Sequence, residues 1–557
     1  MELRLTIPPM NSMNIFVKVA ENLSDPFERT SNWKKYLQPP LVQSFFCSKF
    51  TPKEIISTAN SLKSKSSSGC DEVPTRIIIS TIHAISGVLS HLMNLSIDEC
   101  IYPNCFKLAK VRPIAKNKDN TEINNFRPIS LLSGFSKIFE KMIQKRLVSY
   151  FNHFDIFTKC QFGFRDNYST ELALIELIKK VGLMAGKKNY TVGVFLDLSK
   201  AFDCIDHEIL LKKLNHYGIR GKVLEWFRSY LKDRQQYVSY NHKTSPNRNI
   251  TIGVPQGSIL GPLLFIIYIN DLPYSSCIFD FILFADDSNM FCCGNDVQKL
   301  ISTTNTELIK IVDWFIANRL TLNEQKTQMM VFGPIQYLNY KEPFKIVLNG
   351  VEIEESKQIK FLGLIIDQKL TFKLHIQQVV KKMSKAIGAI NRIKFYVNKS
   401  ILNLMYSSLC LPHLVYCNII WSTNYPTTIK PIEKIMNKAM RVITISNADK
   451  PSENLYKITN NLNYDNLSTY FKAIFVYKYF HGLLPDNFNN YFVRQKTSRH
   501  SSYVLCSSSK NNIYYFHIIC SGPRTWNNLL KCGFITETTS LYNFKKKLKL
   551  FLLNKPL

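Results

Sequence analysis

The sequence predicts an α+β fold. Two short apolar stretches of strand length, Val192–Asp197 and Phe279–Phe284, run into acids. They alternate with amphipathic stretches of helical period, such as Ser136 to Phe151 with apolar residues at 139, 142, 143 and 147. From Phe372 onward the pattern becomes helical throughout.

The elements follow in order. Residues 1 to about 50 carry weak periodicity, and Lys65–Gly69 is a Ser/Gly loop. Ile77 to Ile97 is largely apolar at helical spacing. Lys107–Ala115 reads as a strand, and Lys116 to Asn125 as a polar hairpin tip. Glu171–Met184 and Gln298–Arg319 are helices. Ser199 is expected to open a helix, with Asp203 and Asp206 on its surface. Met329–Phe332 and Ile359–Ile366 each read as one strand.

Composition narrows the function. With 557 residues, 45% of them hydrophobic and 20% charged, the chain is globular and long enough for more than one core. Its net charge of +30 calls for a polyanionic partner. From Lys369 to the end there are 27 Lys/Arg against 6 Asp/Glu, so the excess concentrates in the last third. Aromatic residues are interleaved there, as in Arg392–Tyr396 and Tyr470–Phe480; stacking rings among bases suit nucleic acid, while helical spacing in the second stretch favours core. Cys410, His413 and Cys417 form a C-x2-H-x3-C fragment that lacks a fourth zinc ligand, and the two cysteines read as buried thiols on a helix. The longest apolar run, Ile259 to Ile269, is too short to cross a bilayer, and no membrane partner is expected. With no secretion signal, the cysteines read as reduced and intracellular.

The acids carry the chemistry. Asp286 and Asp287 end one apolar strand and Asp197 another. Adjacent carboxylates in such a place need a positive counterpart, and a hard divalent cation is the usual one. Three aspartates from two strand ends can hold a pair of ions about 4 Å apart for in-line phosphoryl transfer. The plainer alternatives are a turn for the Asp–Asp pair and a helix N-cap for Asp197.

Three ordered blocks favour the metal reading: Phe195-Leu-Asp-Leu-Ser-Lys-Ala-Phe-Asp203, Gly253-Val-Pro-Gln-Gly-Ser-Ile-Leu-Gly-Pro262 and Phe284-Ala-Asp-Asp287. Together they resemble the palm blocks of reverse transcriptases of non-LTR retrotransposons, in the Jockey-like group. Phe126-Arg-Pro-Ile-Ser-Leu-Leu132, Gln161-Phe-Gly-Phe-Arg165, Asn318–Asn323 with Lys326-Thr327, and Phe361-Leu-Gly363 resemble further blocks of the same family. Ser68–Pro74, Ser521–Leu529 and Phe544–Leu548 resemble its outer signatures.

The resemblance implies a right-hand polymerase with fingers, a palm built on an antiparallel sheet, a helical thumb and a basic C-terminal region. It divides the chain into an N-terminal extension (1–94), fingers and palm (95–368), thumb (369–445) and C-terminal region (446–557). It implies RNA-templated DNA synthesis from a DNA 3′-hydroxyl. Asp197, Asp286 and Asp287 would be catalytic and, with the Leu198 carbonyl, would hold two Mg2+, with Mn2+ as an alternative. Phe202 would lie under the sugar and exclude a 2′-hydroxyl. Gln256 and Gly257 would line the nucleotide site, Arg127 and Lys116 or Lys118 would neutralise the triphosphate, and Lys326 the pyrophosphate. Phe361, Leu362 and Gly363 would form the primer grip.

The implied partners are template RNA, DNA primer or nicked target DNA, and dNTPs, in a cytoplasmic ribonucleoprotein and the nucleus. Family members usually carry an endonuclease upstream; neither its signatures nor a ribonuclease H pattern is seen, so a truncated copy or nicking in trans is expected. A truncated or domesticated copy acting as a non-catalytic RNA-binding protein is the alternative. A group II intron maturase is a second enzymatic one.

Overall fold

The computed structural model describes residues 32–115, 126–333, 342–422, 425–447, 451–493, 503–505, 515–534 and 540–554. The polar tip at 116–125, with Lys116 and Lys118, lies outside them. The strands are β1 (Leu108–Ala115), β2 (Phe126–Leu131), β3 (Tyr190–Leu196), β4 (Arg234–Tyr240), β5 (Lys243–Thr244), β6 (Arg248–Ile250), β7 (Asp280–Phe284), β8 (Asp287–Gly294), β9 (Gln328–Phe332), β10 (Lys345–Leu348), β11 (Val351–Glu354), β12 (Gln358–Phe361) and β13 (Leu364–Asp367). They form a four-stranded sheet in the order β7-β8-β3-β9, a second sheet in the order β2-β1-β4-β5 with β6 on β4, and the hairpins β10-β11 and β12-β13.

The four-stranded sheet is antiparallel throughout and covered on both faces. Alternation along each strand decides which face a side chain enters. Val192, Val194 and Leu196 of β3, Met290 and Cys292 of β8, and Met329 and Val331 of β9 face a core shared with the helices Gly134–His153 and Val297–Ala317. Phe195, Phe291, Met330 and Phe332 face the opposite core, shared with Thr170–Gly186 and with the helices from Lys373 to the C-terminus. This is why the strands read as continuous apolar runs. The helical last third is therefore part of the same body as the sheet.

Capping and burial explain the helices next to the site. Glu140, fully buried, accepts from the Ile259 (2.7 Å) and Leu260 (3.1 Å) amides at the start of the helix Leu260–Tyr268. A carboxylate there satisfies orphan donors and opposes the helix dipole. Behind it, the buried Lys213 ammonium donates to Asp271 and to the Tyr268 carbonyl, both at 2.6 Å. Thr75–Asp98 is long and apolar enough to span a membrane by length and composition. Here it buries Ile78, Ile82, Met93 and Ile97 in the core.

Several expectations are corrected. Residues 33–50 are anchored: Trp33, Tyr36, Phe45 and Phe50 are buried in the first core. No α-helix starts at Ser199; Lys200 is left-handed (φ 49°), a 3-10 turn covers Ala201–Asp203, and the helix begins at His207 with Asp206 as its N-cap. Asp206 is buried, accepts from the Ile209 amide and pairs with Arg319 at 2.6 Å, so it is no surface residue. Ile359–Ile366 is broken into β12 and β13, because Leu362 (φ 44°) and Gly363 (φ 83°) make a two-residue turn. Cys410 and Cys417 are buried as expected, but they cap neighbouring short helices instead of lying within one, Cys417 in the left-handed region (φ 51°); burial pushes the Cys410 thiol up to about 11.

Candidate active site

The site is assembled at one end of the four-stranded sheet. In the β3–β8 register Leu196 lies opposite Ser288, which sets Asp197 opposite Asp287 one step further. Phe284 pairs with Asp287, so Ala285 and Asp286 form a two-residue turn between β7 and β8. The two-residue turn forces Ala285 into the left-handed region at φ 55°, a costly conformation for a residue with a Cβ. The neighbouring loop holds it there. The buried Gln161 Oε1 accepts from the Ala285 (3.1 Å) and Gly163 (2.8 Å) amides. Phe162 donates to the Leu283 carbonyl at 2.7 Å, and Leu283 to Cys160 at 2.8 Å. A Cβ on Gly163 would overlap the Ala285 nitrogen, so glycine is required where the loop meets the turn.

A second segment wraps Asp197. Asn323 donates to its carbonyl at 2.9 Å, Thr327 Oγ1 accepts from its amide at 3.4 Å, and Lys326 Nζ lies 3.8 Å from its carboxylate. Leu198 faces Leu322 as the non-hydrogen-bonded pair of this bridge, flanked by Ser199→Thr321 and Asn323→Asp197 bonds. Its own carbonyl accordingly points away from that segment.

The carboxylates repel one another. Asp286 and Asp287 open onto solvent, while protein packed behind them limits hydration. Desolvation and then the charges of Asp286 and Asp197 push Asp287 up to about 6. Desolvation also raises Asp286, with the Asp197 charge adding to it; its own backbone amide and Arg127 pull the other way. Arg127, exposed on β2 of the second sheet, lies near enough for its charge to act on Asp286. Among the described residues no three acidic, histidine or cysteine side chains are grouped closely enough to hold a metal ion as they stand. The donor set nevertheless suits a hard cation: three neighbouring carboxylates, two of them held above their ordinary values and the third beside an ammonium.

The loop 253–257 borders this cluster. Val254 donates to the Phe202 carbonyl (2.9 Å), and Gly253 to Ile205 (2.8 Å). A Cβ on Gly253 would lie 2.6 Å from the Asp203 carbonyl oxygen, and one on Gly257 would overlap that of Ser130. Gln256 donates through Nε2 to both Asp203 oxygens at 2.9 Å, while its carbonyl accepts from Ser130 at 2.9 Å. Asp203, expected on a helix surface, is instead the anchor of Gln256. Phe202 is half-buried, tilted 33° on Phe265 with centroids 4.8 Å apart, and meets the edge of the exposed Phe164 at 6.4 Å.

The structure thus brings together Asp197, Leu198, Asp286, Asp287, Lys326 and Arg127, with Phe202, Gln256 and Gly257 alongside. Phe361 is buried against Phe195 at 5.3 Å and is a core residue; only the turn Leu362–Gly363 is presented outward. The Leu362 carbonyl accepts from the Tyr416 hydroxyl. Gln161, Gly163 and Asp203 stand in the family-like blocks, and only the tertiary contacts give them a part in the site.

Residues 114–366 match the family described as reverse transcriptase (RNA-dependent DNA polymerase). The chain is 28% identical over 438 residues to the "Probable RNA-directed DNA polymerase from transposon BS" of Drosophila melanogaster, covering 73% of this chain and 46% of that protein. It is 28% identical over 358 residues to the corresponding protein of transposon X-element, with 62% and 38% coverage. It is 26% identical over 426 residues to the "RNA-directed DNA polymerase from mobile element jockey", with 74% and 46% coverage, both from the same organism. The chain spans less than half the length of these relatives. Over residues 114–366 the chain is thus similar to the reverse transcriptase family, and over 62–74% of its length to the RNA-directed DNA polymerases of the transposons BS, X-element and jockey.

Proposed function

We propose that this chain is the RNA-templated DNA polymerase of a non-LTR retrotransposon, extending a DNA 3′-hydroxyl on element RNA. The observation that carries the reading is the meeting of Asp197, Asp286 and Asp287 at one sheet end, beside Lys326 and the Gly253–Gly257 loop. The four-stranded sheet would be the palm, β1 and β2 part of the fingers, and the helices from Lys373 the thumb. Asp197, Asp286, Asp287 and the Leu198 carbonyl would hold two divalent ions. Bound there, the ions lower the pKa of the primer hydroxyl and offset charge on the departing pyrophosphate.

The chain's own residues do the rest. Arg127, near Asp286 on the fingers side, is placed to meet phosphate charge as it enters. Lys326, exposed and 3.8 Å from the Asp197 carboxylate, would be placed to meet pyrophosphate charge with a cation held at Asp197. Gln161 and Gly163 hold the turn that aims Asp286. The template, primer and dNTPs are the partners this chemistry requires. Primer extension on an RNA template with dNTPs and Mg2+ tests the reading; binding of RNA without extension would favour a non-catalytic RNA-binding protein.

Phe202 supplies a sharper test. Its ring is fixed by Phe265 and Phe164 beside the loop that would hold the nucleotide. Phe202→Val should keep most dNTP incorporation and raise the rNTP/dNTP ratio by about 10- to 100-fold, the range that steric pockets reach. A packing role alone would lower the melting point, by about 1–3 kcal/mol of stability, with the ratio unchanged.

The basic last third is expected to hold nucleic-acid backbone. Lys381, Lys385 and Arg392 are exposed on one face of the helix Lys373–Ile393, which ends in the exposed rings of Phe395 and Tyr396. Truncation before Lys369 would strip one face of the four-stranded sheet, so charge substitution is the cleaner test. Replacing Lys381, Lys385 and Arg392 with Gln should lower the log–log salt slope of hybrid-duplex binding by up to about 0.9 per lost contact. An unchanged slope would place this row against bulk solvent.

A further inference from the structure

A cavity of about 500 Å3 lies between the helix Thr170–Gly186 and the C-terminal helices Tyr464–Phe480 and Leu541–Asn554. That volume falls within the roughly 300–1,000 Å3 of small-ligand sites. Its aromatic wall is Tyr168, Tyr470 and Phe471; its charges are Lys478, Lys545 and Glu171. The floor belongs to the loop that, a few residues earlier at Gly163, lies against the Ala285 turn. One side of Tyr168 is taken by the Arg165 guanidinium, 4.3 Å from the ring centroid, which fixes the ring in place.

The charges are unbalanced. Two ammoniums share the cavity with one carboxylate, and among the described residues neither lysine forms a direct ion pair with it. Burial and the nearby Lys545 charge lower Lys478. Burial pushes Glu171 up to about 7, so its carboxylate is a weak counterion at neutral pH. An anion between the lysines would relieve their repulsion, and the rings beside them offer a flat apolar group a stacking surface. A phosphate joined to an aromatic base has both parts.

We propose that this cavity takes one unstacked nucleotide of the single-stranded strand that the polymerase copies, its base against Tyr470 and Phe471 and its phosphates at Lys478 and Lys545. The proposal rests on the polymerase reading, since that reading supplies a single-stranded template, and the cavity's Tyr168 lies in the same loop as Gly163, which abuts the Ala285 turn. Glu171 would face the base edge, where a carboxyl can accept or donate a hydrogen bond.

The test compares binding of the full chain to a blunt RNA–DNA hybrid and to the same hybrid with a single-stranded RNA 5′ overhang. Wild type should bind the overhang form about tenfold more tightly, and an overhang of abasic residues should lose most of that gain. Tyr470→Ala should lose the same part. Lys478→Gln with Lys545→Gln should instead lower the salt slope of overhang binding by about 0.7 per contact. Equal binding of blunt, overhang and abasic forms in wild type would overturn the proposal without any variant. So would a gain that both variants keep at an unchanged melting temperature, or displacement of the overhang by polyglutamate with no effect of RNA mononucleotides. Failure to bind the blunt hybrid at all would instead count against the polymerase reading.

Discussion

Asp286→Asn is expected to remove nearly all nucleotide addition while leaving RNA binding intact. Asp286 sits on the tip of the β7–β8 turn, within the field of both Asp197 and Asp287. Replacing it with an amide takes one charge from the cluster that would hold the cations. A metal's Lewis-acid contribution is worth several kcal/mol, so the extension rate should fall by about 10²–10⁴-fold. Stability should stay constant or rise, because relief of like-charge repulsion accompanies the loss. Single-nucleotide extension rates and hybrid affinity, measured side by side, check this. Extension close to wild type would remove Asp286 from the site.

Gly163→Ala should produce a loss of similar kind from a residue that touches no substrate. The added methyl would overlap the Ala285 nitrogen, and backbone cannot yield as a flexible side chain can. Either the turn or the 161–165 loop must move, and both Gln161 Oε1 bonds are strained with it. A displacement of about 1 Å at a reacting centre can cost about 10²-fold in rate. The expected result is that loss in kcat with a smaller change in dNTP KM. Gln161→Leu should act in the same direction and also lower stability by about 1–3 kcal/mol, because two buried amides lose their acceptor. Unchanged kcat in both variants would show that the turn holds its shape unaided.

Much of the site was legible because its chemistry lies in short local patterns. The three aspartates, Phe202 and the 253–262 loop stand in contiguous blocks, and apolar runs ending in acids mark strand ends whatever surrounds them. The helices Thr75–Asp98, Gly134–His153, Thr170–Gly186 and Val297–Ala317 follow from period alone, within about two residues at each end. Charge asymmetry in the last third is likewise a property of composition.

What required the tertiary structure is everything fixed by pairing between distant segments. The register of β3 on β8, not any motif, sets Asp197 opposite Asp287. Asp203 reads as a helix-surface residue until Gln256, 53 positions away, is seen to donate to both its oxygens. That Phe361 of the primer-grip block packs against Phe195 in the second core is visible only in the tertiary structure. Gln161 gains its role only where its loop meets the turn, because the Gly163 and Ala285 amides both need an acceptor there and one carboxamide oxygen supplies it. Local sequence determines which groups are present and which way a strand or helix alternates. Only long-range packing decides which of those groups share a site, since that depends on register, left-handed turns and close backbone approach.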